Sequence, residues 1–216
     1  MGEFDDARDT WDRRFASAEG LLFGEEPNPW LAAHYGLLPA GGRVLCVADG
    51  ESRNGVFLAE AGFDVTAFDI SPVAVEKARA LAARRGVKLE LLVADAARWS
   101  FEPDAFDAVV AIFIQFAGPE LRAALFEGFQ RTLRPGGVLL IEGYGERQLR
   151  YRTGGPGIPE NLYQMRRLHM AFAGWEILAS READFVLAEG SAHTGISHTV
   201  AAVYRKPIPG APTVRG

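Results

Sequence analysis

Predicted strands and helices alternate along the first two thirds of the chain, and this alternation constrains the fold more than any other feature. Apolar runs typical of buried strands occupy Arg43–Ala48, Val65–Asp69, Leu89–Val93, Phe106–Phe113 and Val138–Glu142. The intervening segments favour helices, at Asn54–Ala61, from the N-cap Ser71 and Pro72 to Arg85, and at Pro119–Leu133. This pattern predicts an α/β fold with a doubly wound, mostly parallel sheet and helices on both faces.

The flanking segments are less regular. We predict a helix at Asp5–Ser17, a turn-rich connector at Phe23–Trp30, a turn at Pro135–Gly137, an irregular Gly-rich stretch at 148–159 and a helix at Glu160–Phe172. Strand pieces are predicted at Ile177–Ala179 and Ala183–Leu187, and a last strand at His198–Tyr204. Three prolines follow Lys206, so we expect a loose tail.

The loop after the first strand, within VLCVADGESRNG, lacks both common phosphate-binding patterns. Gly50 and Gly55 do not give the G-x-G-x-x-G spacing of dinucleotide folds, and no lysine follows Gly55 as in a P-loop. Asp49 and Glu51 would repel a pyrophosphate and attract a cation. The loop therefore predicts a ligand that carries positive charge and no pyrophosphate.

Acidic residues also end the next two strands. Asp69 ends the second strand, about 20 residues beyond the loop, where an acid binds ribose hydroxyls. Asp95 follows the third strand and could accept from an adenine amino group, with the Ala96 amide beside the ring. Each acid alone is better explained as a turn or helix-cap residue. Three acids at three consecutive strand ends favour a binding site instead.

Together these features match S-adenosylmethionine, which combines an adenosine with a sulfonium and an ammonium. The N-terminus of the helix after Ser52 can take its carboxylate. The backbone of Ala111 and Ile112, late in the fourth strand, can take its ammonium. The predicted cofactor is S-adenosylmethionine, with S-adenosylhomocysteine as the product.

Charge and cysteine content exclude several other classes. The net charge of −5 and the scattered basic residues argue against a nucleic-acid or membrane partner. A single cysteine rules out a disulfide framework and a cysteine-based metal site, so no metal is predicted. The acidic, polar N-terminus is no signal peptide, and no apolar run is long enough to span a bilayer. We therefore expect a cytoplasmic protein.

Several segments resemble the class I S-adenosylmethionine-dependent methyltransferases. They are VLCVADGESRNGVFLAEAGFDVTAFDISPVAVEKA, LVADA, FDAVVAIFIQF and LRPGGVLLIEGYGERQL. WDRRF, FGEEPNPWL and EGSAHTGISHTVAAVYRKP are similar to the bacterial branch labelled tellurite-resistance or thiopurine-methyltransferase-like. The resemblance covers about residues 8 to 206. Ala48 and Ser52 stand where the family usually has glycine, and Cys46 stands where many members have an acid.

The resemblance implies a Rossmann-like sheet of seven strands. Its seventh strand is antiparallel and lies between the fifth and sixth, and we map it to His198–Tyr204. It also implies one methyltransferase domain over residues 1–206, in which an N-terminal arm at 1–36 covers the cofactor, followed by a tail at 207–216. Trp11, Phe15 and Phe23 of this arm are the implied aromatic cover. The implied cofactor contacts are Trp11, Phe23, Ala48, Asp49, Gly50, Asn54, Asp69, Ile70, Asp95, Ala96, Ala111 and Ile112.

Methyl transfer needs an aligned nucleophile and exclusion of water, and only a neutral hydroxyl acceptor needs a strong base. The sheet topology places His193, Glu142 and Tyr144 on the methyl side as candidate catalytic residues. Arg150 and Tyr151, at the Gly-rich loop, are the candidate substrate-binding residues. Loop, packing and surface roles compete with each of these assignments.

We therefore predict a methyltransferase that acts on a small molecule by direct in-line transfer to a thiol, a chalcogen oxyanion such as tellurite or selenite, or a hydroxyl. A monomer is expected, with a homodimer as the alternative. A non-catalytic S-adenosylmethionine-binding module, a nicotinamide oxidoreductase and a nucleic-acid methyltransferase are the competing hypotheses.

Overall fold

The computed structural model describes residues 3–190 and 193–210. Seven strands form one sheet, and helices flank it. The strands are β1 (Arg43–Val47), β2 (Asp64–Asp69), β3 (Glu90–Val93), β4 (Phe106–Ile112), β5 (Leu133–Tyr144), β6 (Glu176–Glu189) and β7 (His193–Arg205). The helices are α1 (Glu3–Ser17), α2 (Pro29–His34), α3 (Arg53–Glu60), α4 (Pro72–Arg85), α5 (Pro119–Thr132), α6 (Gln148–Tyr151) and α7 (Met165–Ala171). Short 3-10 turns lie at Tyr35–Leu37 and Pro159–Asn161.

The strand order is β3-β2-β1-β4-β5-β7-β6. The pairs among β1 to β5 are all parallel, and β7 is antiparallel to both β5 and β6. The prediction of a mostly parallel, doubly wound sheet with an inserted antiparallel seventh strand is confirmed. The C-terminal ends of β1, β2, β3 and β4 therefore meet at one edge, where such folds bind ligands.

Both faces of the sheet are covered, which explains why its central strands are almost wholly apolar. Neighbouring residues of β1 enter opposite layers, because side chains alternate across a strand. Leu45 packs into one buried cluster with Val109 and Phe129, while Cys46 packs into the other. Cys46 is fully buried, which fits an apolar packing role.

The start of α4 follows the sequence prediction closely. Ser71 caps the helix, since its hydroxyl accepts a hydrogen bond from the Ala74 amide at 3.1 Å. Pro72 occupies the first turn, and Gly86 ends the helix with a φ of +68°. The cap fixes where β2 ends and α4 begins, and so positions Asp69.

Four predicted boundaries are wrong. The segment predicted as a turn at Pro135–Gly137 is a bulge inside β5, where Gly136 has a φ of +80°. The predicted helix Glu160–Phe172 is split, because Leu162 is extended and the Tyr163 amide donates to the Tyr144 carbonyl at 2.8 Å. The two strand pieces form one strand, β6, whose polar middle lies at the sheet edge. β7 begins at His193, because its hairpin with β6 extends beyond the core.

No helix in the described residues combines the length and the apolar character needed to cross a membrane.

Candidate functional site

A cavity of about 660 Å³ opens at the C-terminal ends of β1 to β4. The loops that follow these strands form its floor, while α1 and the connector before α2 form its cover. All the predicted cofactor contacts except Ala111 line it, namely Trp11, Phe23, Ala48, Asp49, Gly50, Asn54, Asp69, Ile70, Asp95, Ala96 and Ile112. Ala111 is fully buried inside the sheet, and its backbone belongs to β4.

The loop after β1 turns sharply through left-handed backbone conformations. Ala48, Gly50 and Ser52 have φ values of +48°, +57° and +59°. Glycine adopts this conformation freely, whereas other residues pay roughly 1 kcal/mol or more. Ala48 and Ser52 are thus strained at the two positions where the sequence departs from the glycines of the resembling family.

The Asp49 carboxylate braces this loop. Its Oδ2 accepts from the Ser52 hydroxyl at 2.7 Å and from the Gly55 backbone amide at 2.9 Å, and its Oδ1 accepts from the Asn54 side-chain amide at 3.2 Å. Burial raises the pKa of Asp49, and these hydrogen bonds oppose that rise. Asp49 therefore lines the cavity while holding the first turn of α3 in place.

Glu51, in contrast, turns away from the cavity. Only 3% of the residue is exposed, and its Oε2 accepts from the Leu22 amide at 2.6 Å. Its Oε1 lies 3.3 Å from the Lys77 ammonium. The expectation that both acids of this loop face a cationic ligand is therefore wrong for Glu51, which instead binds the covering segment.

Asp69 sits at the centre of the floor with one amide on each carboxylate oxygen. Oδ2 accepts from the Gly50 amide and Oδ1 from the Ser71 amide, both at 2.9 Å. Burial, aided by the neighbouring Asp49 and Asp12, raises the pKa of Asp69 to about 6 despite these two hydrogen bonds. A carboxylate oxygen can accept more than one hydrogen bond, so Asp69 can also take two ligand hydroxyls.

Asp95 lies beyond Asp69, at the end of β3. Its Oδ1 accepts from the Ala97 amide at 2.9 Å, and the Arg98 Nε lies 3.7 Å from its Oδ2. The buried Ala96 and the half-buried Ile70 complete the wall beside it. Asp69 and Asp95 thus mark two polar points in a largely apolar recess, as a nucleoside would require.

Aromatic rings from the N-terminal segment cover the cavity. The Trp11 ring stacks on Phe15 with centroids 5.6 Å apart, and Phe15 meets the Phe23 ring edge-on at 6.1 Å. All three residues line the cavity. The N-terminal arm thus contributes three aromatic rings to the cavity lining, and the prediction that it covers a bound cofactor stays a prediction.

Two residues of the cavity lining, one charged and one aromatic, were not predicted from the sequence. Arg53 opens α3, is only 7% exposed and pairs with Glu189 at 2.7 Å. The position of Arg53 at a helix start indicates that backbone amides are available there, but it gives no local signal for the direction of the side chain. Phe113, just after β4, has a φ of +55°, and only the apolar run there pointed to it. Further lining residues outside the predicted set are Ala7, Ala94, Ala97, Arg98, Phe116 and Leu121.

The candidate catalytic residues of β5 do not line the cavity. Glu142 is 1% exposed, and its carboxylate accepts from Asn28 and from Arg181, each at 2.7 Å. Burial raises the pKa of Glu142. Tyr144 is 2% exposed behind Phe113, whose ring centroid is 4.7 Å away, and burial raises its pKa strongly. Both side chains are buried outside the cavity lining, and their catalytic roles stay predictions.

The remaining candidates lie farther out. Arg150 and Tyr151 belong to α6 and are not part of the lining. Tyr151 hydrogen-bonds to Asp184, and Arg150 is exposed. The backbone of His193 begins β7 opposite Glu189, but its side chain lies outside the described residues. The geometry thus brings together the cofactor candidates, and not the substrate candidates.

The comparison with protein families matches residues 44–137 to the model of the methyltransferase domain. An uncharacterised protein of Mycobacterium tuberculosis is 37% identical over 113 residues, which cover 52% of this chain and 40% of the relative. The chain thus spans well under half the length of that curated relative.

Solved structures agree in fold. One, from a study of the conversion of a disulfide bond into a thioacetal group during echinomycin biosynthesis, has a TM-score of 0.76 at 22% identity and covers 94% of this chain and 93% of that chain. The N-methyltransferase NodS from Bradyrhizobium japonicum, in complex with S-adenosyl-L-homocysteine, has a TM-score of 0.67 at 14% identity and covers 94% and 100%. Residues 44–137 are therefore similar to the methyltransferase domain, and the chain shares the fold of these solved structures.

Proposed function

We propose that this protein binds S-adenosylmethionine in the described cavity and transfers its methyl group to a small molecule by direct in-line displacement. One observation carries the proposal. Asp69 is fixed by two backbone amides at the end of β2, in a cavity whose β1 loop lacks a pyrophosphate cradle. That geometry suits a ribose without a diphosphate, which disfavours a nicotinamide cofactor.

Different lining residues bind different parts of the cofactor. Asp69 takes the two ribose hydroxyls, and Asp95 takes the adenine amino group. Arg53, the first residue of α3, lines the cavity, and its positive charge suits the carboxylate of the methionine end. The bound cofactor would supply an electrophilic methyl on a sulfonium, so the protein has to orient it and exclude water.

The composition of the cavity lining favours an acceptor that does not need a general base. Trp11, Phe23 and Phe113 wall the cavity, and its described lining holds no histidine, lysine or cysteine. A thiolate or a chalcogen oxyanion arrives as a nucleophile already, whereas a neutral hydroxyl requires a base. We therefore infer a thiol or oxyanion acceptor. An oxyanion acceptor is consistent with our proposal that the protein belongs to the tellurite-resistance-like branch. For a hydroxyl acceptor, His193 is the candidate base.

The reaction is tested with methyl-labelled S-adenosylmethionine and four acceptors, namely a small thiol, tellurite, selenite and a phenol. The proposal predicts methylated product and S-adenosylhomocysteine with the thiol or an oxyanion. The Asp69→Asn variant serves as the inactive control. Tight cofactor binding with no product from any acceptor would favour the non-catalytic binding module instead.

Cofactor affinity should fall in mild acid. The Asp69 pKa of about 6 means that this carboxylate gains a proton as the pH drops below that value. A protonated carboxyl loses acceptor capacity for the ribose hydroxyls, so binding favours the ionised form and weakens as pH falls. The Kd for S-adenosylhomocysteine should rise by about tenfold per pH unit below pH 6.

Calorimetric titrations between pH 7.5 and pH 5 check this prediction. The dependence should vanish in Asp69→Asn, since that side chain does not titrate. A wild-type Kd that stays constant over the whole range would contradict the ribose role of Asp69.

We propose a monomer, with a homodimer as the alternative, that works in the cytoplasm with a small-molecule substrate and without a nucleic-acid or membrane partner.

A further inference from the structure

Two residues that form an ion pair with each other, Glu51 and Lys77, bind the backbone of the covering segment. Glu51 belongs to the loop after β1, whose neighbouring residues Asp49 and Gly50 line the cavity. Its carboxylate leaves the opposite side of that loop and accepts hydrogen bonds from the backbone of Leu22 and Phe23. Glu51, an acid that a phosphate-binding loop would not carry, thus holds the connector that follows α1.

Lys77, on α4, holds the end of α1 itself. Its ammonium donates to three backbone carbonyls, those of Phe15 at 2.5 Å, Ala18 at 3.3 Å and Gly20 at 2.7 Å. A cation at this place satisfies carbonyls that a helix end leaves without partners. The same ammonium lies 3.3 Å from Glu51, whose side chain is 2% exposed.

The segment that this pair holds carries the aromatic cover. Phe15 is 1% exposed and lies over Gly50, where an added Cβ would come within 3.2 Å of its ring. Phe23 follows Leu22 directly and also lines the cavity. A second attachment joins Ser71 to Asp12 farther up α1. The Glu51–Lys77 pair is therefore the link nearest to the point where the cover meets the cofactor loop.

We propose that Glu51 and Lys77 are positioning residues that hold this aromatic cover closed on the bound cofactor. The inference rests on the proposed function. Because Glu51 and Lys77 both bind the backbone of the cover, opening the cover for cofactor release requires these contacts to break. The pair then sets how long the cofactor stays bound, and it affects the association rate much less.

The test compares Lys77→Met with Lys88→Met. Lys88 is exposed and undergoes the same chemical change, so it is a matched control. Association and dissociation of S-adenosylhomocysteine are followed by stopped-flow tryptophan fluorescence. Lys77→Met should dissociate on the order of tenfold faster, with an association rate within about threefold of wild type. Lys88→Met should match the wild type.

Glu51→Gln is the second variant. Its amide oxygen can still accept from the Leu22 amide, but the ion pair is lost, so dissociation should accelerate less than in Lys77→Met. Trypsin should also cut at Arg13 or Arg14 faster in Lys77→Met than in Lys88→Met when ligand is saturating. A purely structural pair would lower the Tm without changing either readout.

Dissociation rates within twofold of wild type in both Lys77→Met and Glu51→Gln would overturn the inference and leave the proposed function standing. A wild-type protein that does not bind S-adenosylhomocysteine would overturn the proposed function, and the inference with it. If Lys77→Met does not fold, the dissociation rate of Glu51→Gln alone decides between these outcomes.

Discussion

Replacing Asp69 by alanine should raise the Kd for S-adenosylhomocysteine by about 100-fold or more. The substitution removes the acceptor of two ribose hydroxyls, and hydrogen bonds to a charged group contribute roughly 1.5–3 kcal/mol each. Two such bonds correspond to about two orders of magnitude or more in affinity. The amides of Gly50 and Ser71 also lose their acceptor, which loosens the loop that faces the ligand.

Calorimetric titration of S-adenosylhomocysteine at pH 7.5 measures the effect. Asp64→Ala is the matched control, because Asp64 starts the same strand and its side chain is 73% exposed. We expect the control to bind as the wild type does. Circular dichroism at the titration temperature confirms that both variants are folded. An unchanged Kd in folded Asp69→Ala would refute the ribose role.

Replacing Arg181 by methionine should destabilise the protein by about 3 kcal/mol at pH 7.5. Arg181 neutralises Glu142 at 2.7 Å, and Glu142 is almost fully buried. A second buried carboxylate, Glu189, shares the Asn28 amide with Glu142. Methionine preserves much of the apolar packing of Arg181 against Trp30 and Phe185. The loss therefore reports mainly the unpaired charge, and it corresponds to roughly 6–12 °C in Tm.

Arg205→Met provides the control for this substitution. Arg205, on β7, forms an ion pair with Glu176 of β6, the strand that also carries Arg181, but the side chains of Arg205 and Glu176 are 41% and 60% exposed. Such a surface pair contributes at most about 1 kcal/mol. A loss in Arg181→Met no larger than the loss in Arg205→Met would contradict this account of the buried network.

Two further experiments test whether the unpaired charge on Glu142 causes the loss of stability in Arg181→Met. The deficit of Arg181→Met should shrink as the pH falls, because Glu142, whose pKa is already raised by burial, becomes neutral by protonation. Adding Glu142→Gln should restore much of the stability. The single variant Glu142→Gln tests the catalytic prediction for this residue, since the loss of a catalytic acid or base would lower the kcat of the folded protein while the cofactor Kd stays near its wild-type value.

The sequence predicted which residues gather at one edge of the sheet, because their placement follows from local rules. Strand ends of a parallel sheet meet at one edge, so Asp69 and Asp95 could be placed together from periodicity alone. The Ser71 cap and Pro72 fixed where β2 stops. Ala48 and Ser52 were recognised as departures from glycine, and their positive φ values show why glycine suits these positions.

The direction of a side chain was harder to predict than its position. Glu51 lies two residues after Asp49 in the same loop, yet its carboxylate binds the Leu22 amide, 29 residues away in sequence. Glu142 ends β5 as predicted, but Asn28, 114 residues away, and Arg181, 39 residues away, bind its carboxylate. Partners this distant leave no local pattern, so the burial of Glu142 emerged only from the fold.

The most direct test of the central claim is a calorimetric titration of the wild-type protein with S-adenosylmethionine, with NAD as the competing ligand. The account predicts saturable one-to-one binding of S-adenosylmethionine that Asp69→Ala weakens, and no binding of NAD under the same conditions. Saturable binding of NAD without binding of S-adenosylmethionine would contradict the account, because the cavity would then serve the nicotinamide chemistry that its β1 loop disfavours.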